Sequence, residues 1–110
     1  MNELRYSPEA MCDLEAIWDH IFNELQNPAG AKNTVDRILD KIGKLSEFPE
    51  IGTSLTVVTT LENSYRFLVC GNYLAFYRIE EALVSVDRIL FGGRDYLRII
   101  FGDPAEYDPE

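Results

Sequence analysis

The chain has 110 residues, 46% of them hydrophobic, including six Phe, six Tyr and one Trp, which fits one domain with a single core, a packed globule rather than a disordered chain. Its formal charge of −9 and pI near 4.5 argue against general nucleic-acid binding, because phosphate neutralisation dominates that affinity. No apolar run approaches the ~18 residues of a membrane span, no signal peptide is visible, and two cysteines without CxxC spacing plus one histidine make neither a zinc site nor a disulfide framework; the expectation is a cytoplasmic protein with no cofactor and no membrane contact.

The charge is unevenly spread. Residues 1–65 carry five basic and eleven acidic side chains, a net −6; residues 66–98 carry five and four, a net +1; residues 99–110 carry four acidic side chains and no basic one, a net −4. Any polyanion contact would have to fall on the arginine-bearing segment.

Residues 2–7 alternate Leu4 and Tyr6 against Glu3 and Arg5 and read as a first strand. Ser7-Pro8-Glu9 then starts a helix. Serine caps the free N–H groups, proline at the first helical position gives up no hydrogen bond, and Glu9 suits the positive end of the dipole. Met11, Leu14, Ile17, Trp18, Ile21, Phe22 and Leu25 recur at steps of three and four. That spacing predicts a helix to about Leu25 with one apolar face and with Glu9, Asp13, Glu15, Asp19 and Glu24 on the other side. Asn27-Pro28 repeats the start signal, and Ala31, Val35, Ile38, Ile42 and Leu45 line one face of a second helix reaching about Ser46. Phe48-Pro49 ends it, and the short link makes the two helices an antiparallel hairpin.

Residues 50–64 are less readable; the LTVVTTL run at 55–61 is a strand or an extended loop. Between Tyr65 and Asp95 three runs rich in Val, Ile, Leu, Phe and Tyr follow one another. Gly71-Asn72 sits at the first turn, where a two-residue hairpin needs φ > 0; Glu80-Glu81-Ala82 makes the second, and Gly92-Gly93 stops the third run. The segment DYLRIIFG is a short helix or an extended tail, and the acidic residues 103–110, with two prolines in DPAEYDPE, are expected to be poorly ordered. The order predicts an α+β domain over residues 1–102: an N-terminal strand, an antiparallel helical hairpin, and a three-stranded antiparallel meander packed on the helices.

There is no GxGxxG or P-loop motif. His20 reads as a surface histidine and Cys70 as an inert, half-buried thiol. The arginines remain as candidates. Strand alternation puts Tyr73, Ala75, Tyr77 and Ile79 on one face and Leu74, Phe76 and Arg78 on the other; carried through the last run, it groups Val84, Val86, Arg88 and Leu90 against Leu83, Ser85, Asp87 and Ile89. One face packs on the helices, and the other, apolar with arginines, is a candidate binding face. The plainer reading is that Arg78 and Arg88 pair with Glu80, Glu81 or Asp87.

These residues resemble the C-terminal signature of the RelE/ParE superfamily of bacterial toxins. The pieces are Asn72-Tyr73, Phe76-Tyr77-Arg78, Val86-Asp87-Arg88-Ile89-Leu90 and Phe91-Gly92-Gly93-Arg94-Asp95, with Phe91 where a histidine is common. Tyr6-Ser7-Pro8-Glu9-Ala10 followed by Asp13-Leu14, and the Phe48-Pro49-x-x-Gly52 turn, agree with it, so the likeness runs from residue 4 to about 98. The superfamily's fold, a helical hairpin on a small antiparallel sheet, matches the independent reading above.

The resemblance implies one of two activities. RelE-like toxins cut mRNA in the ribosomal A site with a cationic cluster on the concave sheet face, which stabilises the phosphorane-like transition state; ParE-like toxins inhibit DNA gyrase. Carried across position by position, the RelE pattern puts its first sheet cation near Arg66 and the arginine after the last strand on Arg94, but its other two cations fall on Leu68 and Leu74 and its late tyrosine near Ile100. That favours a ParE-like toxin of the plasmid-stabilisation type, acting on gyrase through the Arg94–Phe101 region and the sheet arginines. Its target- or partner-binding residues would be Arg66, Tyr77, Arg78, Arg88, Arg94 and Arg98. A cognate antitoxin would neutralise it with an amphipathic helix on the hairpin and an extended piece along the sheet, and the acidic helix faces predict a basic antitoxin segment. The alternatives are a RelE-like ribosome-dependent mRNA endoribonuclease, with Arg66 and Arg94 as catalytic cations and Tyr73 or Tyr77 nearby, and a degenerate, non-toxic homologue. No direct nucleic-acid contact is expected of the isolated chain.

Overall fold

The computed structural model describes residues 2–54 and 65–92; the LTVVTTL run, Arg94, Arg98 and the readings made for the C-terminal residues lie outside them. Strand β1 (Glu3–Tyr6) leads through the Ser7 cap into helix α1 (Pro8–Asp19). Ser7 Oγ accepts from the Ala10 amide at 3.0 Å and donates to the Asp87 carbonyl at 2.7 Å, so the cap that starts the helix also fixes it to the sheet. A single wide π-type turn, His20–Glu24, continues the helix, with the Leu25 amide reaching back to the His20 carbonyl. Gln26 at φ 51° helps reverse the chain. Asn27 then caps helix α2 (Pro28–Gly43) through the Gly30 amide, and a 3₁₀ turn, Lys44–Ser46, follows.

Strands β2 (Thr53–Ser54), β3 (Tyr65–Cys70), β4 (Tyr73–Glu80) and β5 (Leu83–Phe91) complete a five-stranded sheet in the order β1-β5-β4-β3-β2. The meander is its centre. Gly71 at φ 65° and Glu81 at φ 57° carry the two reversals. β1 adds itself parallel to β5, with Leu4 opposite Val84 and Tyr6 opposite Val86, and the two-residue β2 pairs antiparallel with β3. The meander is therefore flanked on both sides, an extension that local sequence pattern does not show because β1 and β5 come from opposite ends of the described chain.

Ala10, Leu14, Ile17 and Ile21 from the first helix and Ala31, Ile38 and Ile42 from α2 pack against Leu68, Cys70, Ala75, Tyr77, Val84, Val86 and Ile89. Fully burying a Leu or Ile side chain contributes about 1.5–3 kcal/mol, so this layer is the main source of stability. On the opposite face Phe76 and Leu90 form a second buried cluster with Tyr65, Phe67 and Leu74 packed against it. Phe76 and Leu90 are buried, so these two are not among the side chains that the partly apolar, arginine-bearing face could offer a partner.

One irregularity changes which residues share a face. β4 and β5 pair Tyr77 with Val86 but Phe76 with Arg88, leaving Asp87 as an extra residue, a β-bulge. Val84 and Val86 face the helices; beyond the bulge Ile89 takes that role, while Leu90 joins the opposite cluster. The unbroken alternation that grouped Val84, Val86, Arg88 and Leu90 is thus corrected at Asp87.

Candidate functional site

Arg66 lies opposite Tyr77 in the β3–β4 ladder. Its Nη2 donates to the Glu50 carbonyl at 3.3 Å and the Gly52 carbonyl at 3.2 Å. The Tyr77 hydroxyl donates to the Pro49 carbonyl at 2.7 Å and accepts from the Gly52 amide at 3.0 Å. Together they fasten residues 49–52 to the sheet. A Cβ on Gly52 would collide with the Tyr77 hydroxyl and sit 2.7 Å from the Phe67 carbonyl oxygen, so the close approach requires glycine. Tyr77 is fully buried, and that burial is the main cause raising the pKa of its hydroxyl. The expectation that Tyr77 touches a target from the surface is corrected: alternation along β4 turns it into the helix-side core.

The two leucines at cation positions of the RelE pattern do not share a site. Leu68 packs in the helix-side core, and Leu74 packs on the opposite cluster. Arg66 and Arg78 lie on adjacent rungs of the same ladder, opposite Tyr77 and Tyr65 respectively, and by alternation they project to opposite faces.

Arg78 is held on the face away from the helices. Its Nε donates to Asp87 Oδ2 at 2.8 Å, its Nη1 to Glu80 Oε2 at 3.1 Å, and its guanidinium lies 5.7 Å from the centre of the Tyr65 ring. Asp87 also accepts from the Tyr65 hydroxyl at 3.1 Å and the Ser85 hydroxyl at 2.9 Å. The hydrogen bond to Asp87 raises the Arg78 pKa further, so this guanidinium stays charged and paired. Burial, and then the Asp87 charge, raises that of Tyr65.

Arg88 is clamped from the other direction. Its Nε and Nη2 donate to the two oxygens of Asp13 at 2.8 and 3.0 Å, and Asp13 Oδ2 also accepts the Ile89 amide at 2.9 Å. An α1 carboxylate thus satisfies an amide of β5 beyond the reach of β1, closing part of an otherwise open sheet edge. The Asp13 side chain is only 14% exposed. For Arg78 the geometry shows the plainer reading, a pair with Asp87 and Glu80; for Arg88 the partner expected among Glu80, Glu81 and Asp87 is corrected to Asp13, which periodicity assigned to a solvated helix face and which carries no local signal of a partner so distant in sequence.

A surface that periodicity missed lies on the helices. The seven apolar residues of the first helix do not share one face. Leu14, Ile17 and Ile21 are buried, but Met11 is 50%, Trp18 38%, Phe22 38% and Leu25 59% exposed. Trp18 and Phe22 stack with ring centres 5.9 Å apart. The wide turn at His20–Glu24 accounts for Leu25: it shifts the hydrogen-bond register from i−4 to i−5, so Leu25 no longer sits over Ile21. Beside this row a shallow depression of about 640 Å³ is lined by Met11, Leu14, Glu15, Trp18, Asp19 and Val35. The readable signal was an excess of apolar residues over what one core-facing stripe of a helix can hold. Among the described residues no group of His, Cys, Asp or Glu is arranged to hold a metal ion.

Comparison with known proteins agrees with this architecture. A family model described as the ParE toxin of the type II toxin–antitoxin system parDE matches residues 4–96. A solved structure of a chromosomal ParDE toxin–antitoxin system from P. aeruginosa is similar with a TM-score of 0.68 and 24% identity, over 83% of this chain and 96% of that one. The E. coli DinJ–YafQ complex is similar with a TM-score of 0.50 and 10% identity, over 83% and 93%. No curated protein matches in sequence. The two structural likenesses show a shared α+β fold, and the match over residues 4–96 spans most of the chain: it belongs to the ParE toxin family of type II toxin–antitoxin systems.

Proposed function

We propose that this chain is a toxin that acts by binding and inhibiting DNA gyrase, not by cutting RNA. The observation that carries this reading is the state of the described sheet arginines. Arg78 and Arg88 are each paired with a largely buried carboxylate, and Arg66 is spent on loop carbonyls from the other face. A ribonuclease of this fold needs unpaired cations converging on one phosphate; guanidinium groups already neutralised at 2.8 Å serve that poorly. The overall charge of −9 further disfavours docking on ribosomal RNA.

The partner that neutralises the toxin is proposed to be a cognate antitoxin, and the Met11–Trp18–Phe22–Leu25 row is its docking site. An exposed stacked aromatic pair on a helix suits an amphipathic helix laid alongside it. Exposed Glu15 and Asp19 beside the depression call for basic residues flanking that helix's apolar stripe. A gyrase inhibitor works in the cytoplasm; no described helix is long and apolar enough to cross a membrane.

Induced expression without antitoxin tests the reading. It predicts growth arrest with relaxed plasmid DNA and intact mRNA. Mapped mRNA ends clustered at A-site codons would sink it in favour of the RelE-like alternative, and unimpeded growth would favour a non-toxic homologue.

A further inference from the structure

Asp87 is an extra residue on β5, and its carboxylate is unusually well served. Oδ2 accepts from Arg78 Nε at 2.8 Å and Tyr65 Oη at 3.1 Å, and Oδ1 accepts from Ser85 Oγ at 2.9 Å. Its side chain is 15% exposed, and the Arg78 side chain 35%. Three donors from three strands converge on one carboxylate, with the Tyr65 ring against the guanidinium. A charged donor, two hydroxyls and an adjacent aromatic ring form the kind of donor set that holds a phosphate group. Here the anion is supplied from within.

We infer that Asp87 is a built-in counter-anion that denies this face to phosphate, making it the residue that determines the face's specificity against nucleic acid. Asp87 shares the face of Ser85 by alternation, and the bulge leaves it without a rung of its own opposite β4, between the Tyr77–Val86 and Phe76–Arg88 pairs. A phosphate arriving from solvent must displace a carboxylate tethered to the same strand, which is present at a high effective concentration, and must also approach the negative charge it displaces. Glu80 adds a second negative charge on the exposed side of Arg78, at 3.1 Å. The inference concerns the isolated chain and stands whether the target is gyrase or another protein.

The test uses the whole chain and inorganic phosphate as probe. Asp87→Ala vacates the carboxylate's place, and Asp87→Asn removes its charge while keeping its shape. Phosphate binding is read by NMR from the Arg78 Nε–H resonance, and by the rise in melting temperature at constant ionic strength. The expected result is phosphate affinity at least about tenfold higher in Asp87→Ala than in the native chain, with the gain abolished in Asp87→Ala/Arg78→Gln. Equal responses in native and variant chains would overturn the inference, as would a gain that survives loss of Arg78. Failure of both Asp87→Ala and Asp87→Asn to fold would also overturn it, because the carboxylate would then be a requirement of folding. Growth arrest plays no part in these readouts, so they can fail while the gyrase reading stands, and the reverse.

Discussion

Asp13 receives three hydrogen bonds from two consecutive residues of β5 and joins the first helix to the sheet edge. Removing it leaves a partly buried guanidinium and a strand amide without their acceptor, so Asp13→Ala should cost about 2–4 kcal/mol in chemical denaturation. A loss under about 1 kcal/mol would make the clamp an ordinary surface pair. Tyr77 works within the helix-side core, where its hydroxyl bridges Pro49 and Gly52. Tyr77→Phe should lower stability by about 1–2 kcal/mol while leaving growth inhibition intact. Unchanged stability with lost toxicity would return Tyr77 to the list of target contacts.

At the scale of elements, the parts written in local chemistry were legible. Ser7-Pro8 and Asn27-Pro28 do start the two helices, and Gly71 and Glu81 do turn the meander. What escaped the pattern was each place where an element departs from its ideal repeat. A single inserted residue at Asp87 exchanges the faces of everything beyond it in β5, because the side-chain period of a strand is two. One wide turn at His20–Glu24 likewise rotates Leu25 outward. The candidate arginines could be named from sequence, but their partners could not: Asp13 reaches Arg88 only through tertiary structure. The exposed row that results has its own test. Trp18→Ala should leave the melting temperature nearly unchanged and weaken antitoxin binding by about 2 kcal/mol or more, since buried aromatic anchors dominate interfaces. Undiminished affinity in a titration would place the antitoxin elsewhere.

The whole molecule couples its fold to alkaline pH most strongly through Cys70 and the partly buried Tyr6, with Tyr65 and Tyr77 shifted in the same direction. Burial pushes the Cys70 thiol from 9.0 up to about 11, and burial followed by the nearby Cys70 pushes the Tyr6 hydroxyl from 10.0 up to about 12. Both folded values lie above the unfolded ones, so the stability they confer is fully present below pH 9 and is lost as the unfolded chain ionises first, between pH 9 and 12. The native chain should therefore lose melting temperature from about pH 9, and Cys70→Ala should delay that onset to about pH 10, where Tyr6 takes over. An onset that does not move would remove Cys70 from the account. An acidic toxin whose described sheet arginines are already occupied by its own carboxylates and carbonyls offers little to phosphate, which is the ground on which we propose a protein target. The measurement that tests this most directly is supercoiling of relaxed plasmid by purified gyrase in the presence of the purified chain. The account predicts inhibition that is reversed by the antitoxin, with mRNA on programmed ribosomes left intact; undisturbed supercoiling together with A-site cleavage of that mRNA would contradict it.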